Sequence, residues 1–210
     1  MTGLQDLQLA AFGEALASSA ATPGGGSASA LSGALAASLA AMVARNTAAS
    51  EKFADRAGEM NEVVAEADAL RSELLGLVDA DAEAFTQVMA AFRMPKETPQ
   101  EQAARSEAIQ AGYKAAVDPP LLVCTRSLRV LELALQVAER GNPNAVSDAG
   151  VAALLAAAAL EGGALNVEIN LGSIKDDAFR TTQADRVGAA QAQGRALRDH
   201  ALATVRGKLG

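Results

Sequence analysis

SASALSGALAASLAAMVA, residues Ser27 to Ala44, decides the fold. The stretch carries no charge and consists almost wholly of small or apolar helix formers. Nothing in it alternates with period two, so it reads as helix rather than strand. The uncharged run reaches back to Ala15, which raises the question of a membrane span. Pro23 and Gly24 to Gly26 break that run, and Ser29, Ser32 and Ser38 dilute the rest. About 17 residues of alanine-rich helix are too short and too weakly apolar to cross a bilayer. The segment therefore reads as a helix buried on nearly all sides within a bundle. Ala30, Ala34, Ser38 and Met42 form a ridge that admits a close neighbour, in the core or across a dimer.

The rest of the chain agrees with a helical bundle. Its 210 residues suit one domain, 1–210, with a substantial core. Half the residues are hydrophobic but only 3% are aromatic, so Ala, Leu and Val must fill that core. The net charge of -7 disfavours nucleic acid and anionic membranes as partners. One cysteine, Cys124, permits no internal disulfide and no cysteine metal cluster, and fits a reduced cytoplasmic setting. No basic region leads an apolar stretch at the N-terminus, so no signal peptide is expected.

Helices are expected over Leu4–Ser18, Ser27–Thr47 and Glu51–Phe92, the last closing before Pro95. Thr98-Pro99-Gln100-Glu101 is a capping box with proline at the first helical position, opening a helix to about Asp118. Pro119-Pro120 start the next, which stops at Gly141. Asn142-Pro143-Asn144 reads as a polar loop. Ser147 caps a helix running to Leu171, and a last amphipathic helix covers Asp177–Lys208.

Two places break the local pattern. In the third helix Met60, Val63, Ala67, Leu70, Leu74, Leu77, Asp81, Phe85, Val88 and Phe92 recur at steps of three or four. Asp81 stands where the stripe calls for a core residue. A carboxylate there is costly without partners, so it is either buried against a helix end, on a stripe that has rotated past the core, or functional. The helix after Ser147 is almost wholly apolar, yet Asp148, Asn166 and Asn170 flank that run. Asp148 and Asn166 share a face but lie about 27 Å apart on a straight helix. One ligand can meet both only if Gly162-Gly163 kink the helix or a neighbouring subunit supplies one end.

Thr22-Pro23-Gly24-Gly25-Gly26-Ser27 heads the buried helix. Three glycines are expected where the backbone takes left-handed angles or approaches something closely. Ser27 reads as the N-cap. The helix N-terminus offers free N–H groups to an anion or a carbonyl. No Gly-Lys-Ser/Thr ending follows, so this is not a nucleotide P-loop. His200 is the only histidine and lies on a polar stretch. A histidine triad or metal site is thus not expected, and no carboxylates have calcium-loop spacing. What remains is acid–base work by Asp, Lys or Glu, with amides to orient a substrate.

Taken in order, several segments resemble the cyclodeaminase/cyclohydrolase family over nearly the full chain. They are Thr22 to Ser27 with its helix to Arg45, Asp81-Ala-Glu-Ala-Phe85, Met94-Pro95-Lys96, Gly141-Asn142 with Asn144, Ser147-Asp148-Ala-Gly-Val-Ala152 and Asn166-Val-Glu-Ile-Asn170. That family includes the C-terminal domain of formiminotransferase-cyclodeaminase and free-standing bacterial methenyltetrahydrofolate cyclohydrolases. The resemblance implies an all-helical homodimer acting on tetrahydrofolate that carries a one-carbon unit. One reaction opens the methenyl bridge with water, and the other closes the formimino group with loss of ammonia. Both pass through a tetrahedral carbon bridging two folate nitrogens, and neither asks for a metal or redox cofactor. With no room for a transferase domain in 210 residues, the cyclohydrolase is slightly favoured, the cyclodeaminase being the alternative and an inactive folate-binding subunit a third. The resemblance marks Asp81 and Asp148 as acid–base residues, with Lys96 as relay or carboxylate partner. It marks Pro23, Gly24, Gly25, Gly26, Ser27, Asn142, Asn144, Asn166 and Asn170 as substrate contacts. A basic rim from residues such as Arg45, Lys52, Lys96 and Arg105 is expected for the substrate's acidic tail.

Overall fold

In a computed structural model that describes residues 3–210, the chain forms seven α-helices and no strand among those residues. They are α1 (Leu9–Ala17), α2 (Gly25–Ala48), α3 (Ala57–Phe92), α4 (Pro99–Ala115), α5 (Asp118–Arg140), α6 (Val146–Leu171) and α7 (Asp177–Leu209). Short 3-10 turns at Leu4–Asp6, Glu51–Arg56 and Pro143–Ala145 make up the rest of the helical structure. The all-helical expectation holds. The first expected helix divides into the Leu4–Asp6 turn and α1, and the third begins only at Ala57. Thr98 and Glu101 form the expected capping box at α4.

The alanine-rich helix is the centre of the bundle. α2 packs against α3, α6 and α5, and α6 packs against α2, α5 and α7. Ala30, Ala34, Ala36, Ala37, Ala40, Ala41, Val43 and Ala44 are all buried. The ridge is therefore a core feature at Ala30 and Ala34, while Ser38 and Met42 are only partly covered. Two segments, Gly25–Ala48 and Pro143–Leu171, are long and apolar enough to cross a membrane by length and composition. More than half of each apolar window lies inside the bundle, which is the ordinary burial of core helices.

Small residues let these helices meet closely. A β-carbon at Gly162 would fall 2.2 Å from the Ser29 hydroxyl of α2. One at Gly163 would fall 2.9 Å from the Pro120 carbonyl and from the Cys124 sulfur of α5. These glycines thus serve close packing, and α6 continues through them without the kink that the sequence allowed. Asp148 and Asn166 stay at opposite ends of one helix. A second cluster, Val117, Leu121, Cys124, Ala164, Val167, Leu171, Ile174 and Val187, packs between α5, α6 and α7, with Tyr113 and Phe179 against it.

Candidate active site

The site begins at the α2 N-terminus. Gly24 is the N-cap, and its carbonyl accepts the first helical bond from Ala28 at 3.0 Å. Ser27 is therefore not the cap but the third helical residue, fully buried. Among the described residues only Gly210 has a positive φ, so none of the three glycines needs left-handed backbone. Close approach is the reason instead, and it is sharpest at Gly26. A β-carbon there would sit 2.1 Å from Asp81 Oδ1. At Gly25 the nearest atom would be Asn166 Nδ2 at 3.5 Å, ordinary contact.

Asp81 arrives because the apolar stripe of α3 turns. The buried series runs Met60, Val63, Ala67, Leu70, Leu74 and then Val78, not Leu77. Beyond it the Asp81–Phe85 edge rotates off the core and faces the α2 N-terminus across a cleft of about 350 Å³. The walls include Thr22, Gly24, Gly25, Gly26, Asp81, Phe85, Val88, Met89, Tyr113, Asn166, Ile169, Asn170 and Ser173. This is the size and the mixture of apolar wall and few polar groups that a small-molecule site needs.

Burial pushes the Asp81 carboxyl above the usual carboxylate range. The Ser27 backbone N–H opposes that shift without reversing it. Asn166 donates its amide to the Gly162 carbonyl at 2.8 Å, and Asn170 donates to the Ala116 carbonyl at 2.8 Å. Each bond engages one amide hydrogen and leaves the side-chain oxygen able to accept. The first-turn amides of Gly25 and Gly26 have no helical partner by geometry and supply donors. A half-buried acid, two donors and two acceptors therefore line one cavity. Such a set can bind a flat heterocycle by its polar edge and exchange a proton with it.

Sequence reasoning placed Gly24, Gly25, Gly26, Asp81, Asn166 and Asn170 here, and all line the cleft. Pro23 is buried behind the loop, and Ser27 touches Asp81 from beneath. The structure does not bring the remaining residues to this cleft. Asp148 stands at the far end of α6 because that helix is continuous. Asn142 caps the Pro143–Ala145 turn: its side chain accepts from the Asn144 amide at 3.0 Å, and its own amide donates to Thr47. Asn144 is exposed there. Lys96 is exposed in the α3–α4 connection, since Pro95 ends any continuation of α3 toward the site.

The basic rim does not form either: none of its four residues lines the cleft. Arg45 pairs with Asp68 at the other end of α2. Arg105 stacks 5.5 Å over the Phe92 ring and donates to its carbonyl. That contact helps seat α4. Phe92 in turn meets Tyr113 edge-on at 6.1 Å between ring centroids. Tyr113, Met89, Ile169 and Ser173 escaped the sequence reading. A lone tyrosine on the otherwise polar α4 is the one signal that could have found the first of them. Among the described residues no three His, Cys, Asp or Glu side chains converge as a metal site. His200 is exposed, 3.5 Å from Glu139.

A helical bundle that sets a half-buried carboxyl against a glycine-led helix N-terminus in one cleft has the architecture of a small-molecule site. The comparisons make that specific. Residues 8–189 match the formiminotransferase-cyclodeaminase family, and the chain belongs to it. It is 41% identical over 198 residues to the methenyltetrahydrofolate cyclohydrolase of Methylorubrum extorquens, covering 94% of this chain and 95% of that protein. It is 34% identical over 186 residues to the formimidoyltransferase-cyclodeaminase of Rattus norvegicus, where the match covers only 34% of the longer protein. The crystal structure of formiminotetrahydrofolate cyclodeaminase from Thermotoga maritima superposes with a TM-score of 0.89 at 29% identity, covering 99% of this chain and all of that one.

Proposed function

We propose that this chain is an enzyme of tetrahydrofolate one-carbon metabolism, and that it opens 5,10-methenyltetrahydrofolate with water to give 10-formyltetrahydrofolate. The observation that carries the reading is the half-buried Asp81 facing the free amides of Gly25 and Gly26 in a cleft of heterocycle size. Similarity to a methenyltetrahydrofolate cyclohydrolase along nearly its whole length supports that reaction first. Water adds to the bridging carbon and a carbon–nitrogen bond breaks. The departing nitrogen takes a proton, and the carbon oxygen keeps the new carbonyl. The amides and the Asn166 and Asn170 oxygens hold the ring edge, and Phe85 and Tyr113 supply apolar walls. The chemistry asks for proton transfer and no redox step. The same set serves the cyclodeaminase reaction, in which ammonia departs, and the Thermotoga maritima cyclodeaminase favours it as the second reading. Loss of methenyl absorbance faster than the spontaneous rate decides for the first. Consumption of 5-formiminotetrahydrofolate alone, with ammonia release, decides for the second. An inert response to both leaves a binding subunit.

A homodimer fits the same reading. Val151, Leu154, Leu165 and Ile169 lie along one uncovered face of α6, with Ile169 73% exposed. Leu35 continues that apolar surface on α2, which the Ser32 bond to the Leu155 carbonyl joins to α6. The α6 stripe is nearly symmetric about the level of residue 160, so a two-fold axis there aligns the helices antiparallel. That register sets Asp148 of a second copy level with position 172, next to the cleft residue Ser173. It joins the two ends that one straight helix keeps apart. Mixing inactive Asp81→Asn and Asp148→Asn variants should then restore activity, because a heterodimer owns one intact site. A monomer in sedimentation at micromolar concentration overturns the dimer. A reducing, cytoplasmic setting accords with the free, buried Cys124.

A further inference from the structure

We propose that Ser27 is a positioning residue that holds Asp81 in its protonated form, ready to act as an acid. The inference deepens the proposed function and rests on Asp81 being its proton-transfer group. Ser27 is completely buried in the first turn of α2 and does not line the cleft. Its hydroxyl lies 2.8 Å from the Val78 carbonyl and 3.4 Å from Asp81 Oδ2. A hydroxyl has one proton and two lone pairs. A carbonyl can only accept, so the short contact uses the proton on Val78. What Ser27 then presents to Asp81 is a lone pair. Two oxygens facing each other bond only if one carries a proton, and here that one must be Asp81.

An ionised Asp81 breaks this arrangement. Either its charge faces the lone pair, or Ser27 swings its proton across and abandons the shorter bond to Val78. The Ser27 backbone N–H also reaches Asp81 and favours the anion. Burial favours the acid and outweighs the amide, so the carboxyl is raised above its ordinary value. No charged group intervenes. Of the other walls, α2 contributes glycines, α6 contributes the neutral Asn166 and Asn170, and α4 contributes Tyr113 alone as a titratable group. On α3 itself Glu83 faces outward and the Asp79 carboxylate is held by the Leu4 amide.

The consequence is a direction for the proton. Asp81 turns its proton from Ser27 into the cleft and gives it to the nitrogen leaving the bridging carbon as that carbon–nitrogen bond breaks. It regains one proton from the added water as the carbonyl forms, and the second water proton passes to solvent. Ser27 stays bonded to Val78 throughout and restores the resting state by accepting again.

Carbon-13 NMR of aspartate-labelled protein tests this without any substrate, with Asp81→Asn assigning the resonance. In the wild type Asp81 should titrate above the other aspartates. In Ser27→Ala it should titrate lower by roughly half a unit to one unit, the size of one lost hydrogen bond to the protonated form. An upward move in Ser27→Ala means that Ser27 donates to the anion, and overturns the proposal. If Ser27→Ala does not fold, the wild-type titration still decides, since an Asp81 value at or below the ordinary range also overturns it. In kinetics the alkaline limb of the kcat/KM profile should move to lower pH with KM nearly unchanged. If neither folate is turned over while the NMR shift appears, the reading of the reaction fails and the Ser27–Asp81 arrangement stands.

Discussion

At the residue scale, Asp81 is a carboxyl whose burial works against its charge. Its folded carboxyl is raised above the unfolded value because burial disfavours the charge. Between those two values the folded chain binds more protons than the unfolded chain. Stability contributed by this group is therefore complete below the ordinary Asp range and falls as pH rises through the raised value. Asp81→Asn removes that slope. Urea titrations should find the variant at least as stable as wild type at pH 7, with its relative advantage lost in acid. Turnover should fall about tenfold or more, as expected when an acid–base group is deleted.

Gly26 and Gly25 separate two roles in the same loop. Gly26→Ala would drive a β-carbon into Asp81 Oδ1, so it must displace the carboxyl. Steady-state kinetics should show kcat reduced more than KM is raised. Gly25→Ala meets only ordinary contact near Asn166 but narrows the cleft. Its effect should be on KM, with turnover nearly retained.

At the scale of the helix, the α5–α6 contact is made by a glycine with no slack. The atoms nearest a Gly163 β-carbon include the backbone of Pro120 and Cys124, which cannot swing aside. Gly163→Ala should cost roughly 1–3 kcal/mol of overpacking in equilibrium unfolding. Gly13→Ala on α1, where nothing lies within 4 Å, should be neutral or stabilising by comparison.

Helix existence, the capping box and the buried character of α2 were legible because period, caps and composition are local signals. The eventual burial of Ala30 and Ala34 was half legible: small residues announce a close approach without saying to what. Asp81 was found as a break in a stripe, and its direction followed only from the turn of α3 after Leu74. Residues brought in from α4 and α6, such as Tyr113 and Ile169, were invisible because pattern along one helix does not tell which other helix it meets. Lys96, Asn142 and Asn144 were singled out by resemblance in sequence order, which carries no distances.

At the scale of the whole molecule, the core has one thiol to report on it. Burial pushes Cys124 up to about 12, and its sulfur sits 3.4 Å from the Leu160 carbonyl. Native protein should resist a water-soluble thiol reagent at neutral pH and react fully in denaturant. The labelling rate in dilute denaturant should track global unfolding, since Cys124 lies where α5 and α6 close on each other. Rapid labelling of the native state would mean that this contact opens locally.

The scarcity of aromatic residues has an optical consequence. With no tryptophan and a single tyrosine in 210 residues, nearly all intrinsic ultraviolet emission comes from the Tyr113 ring. That ring is a wall of the cleft. The protein carries its own fluorophore in the wall of the proposed site, with little background from elsewhere in the chain, so quenching by an absorbing pterin tests occupancy of that cleft directly.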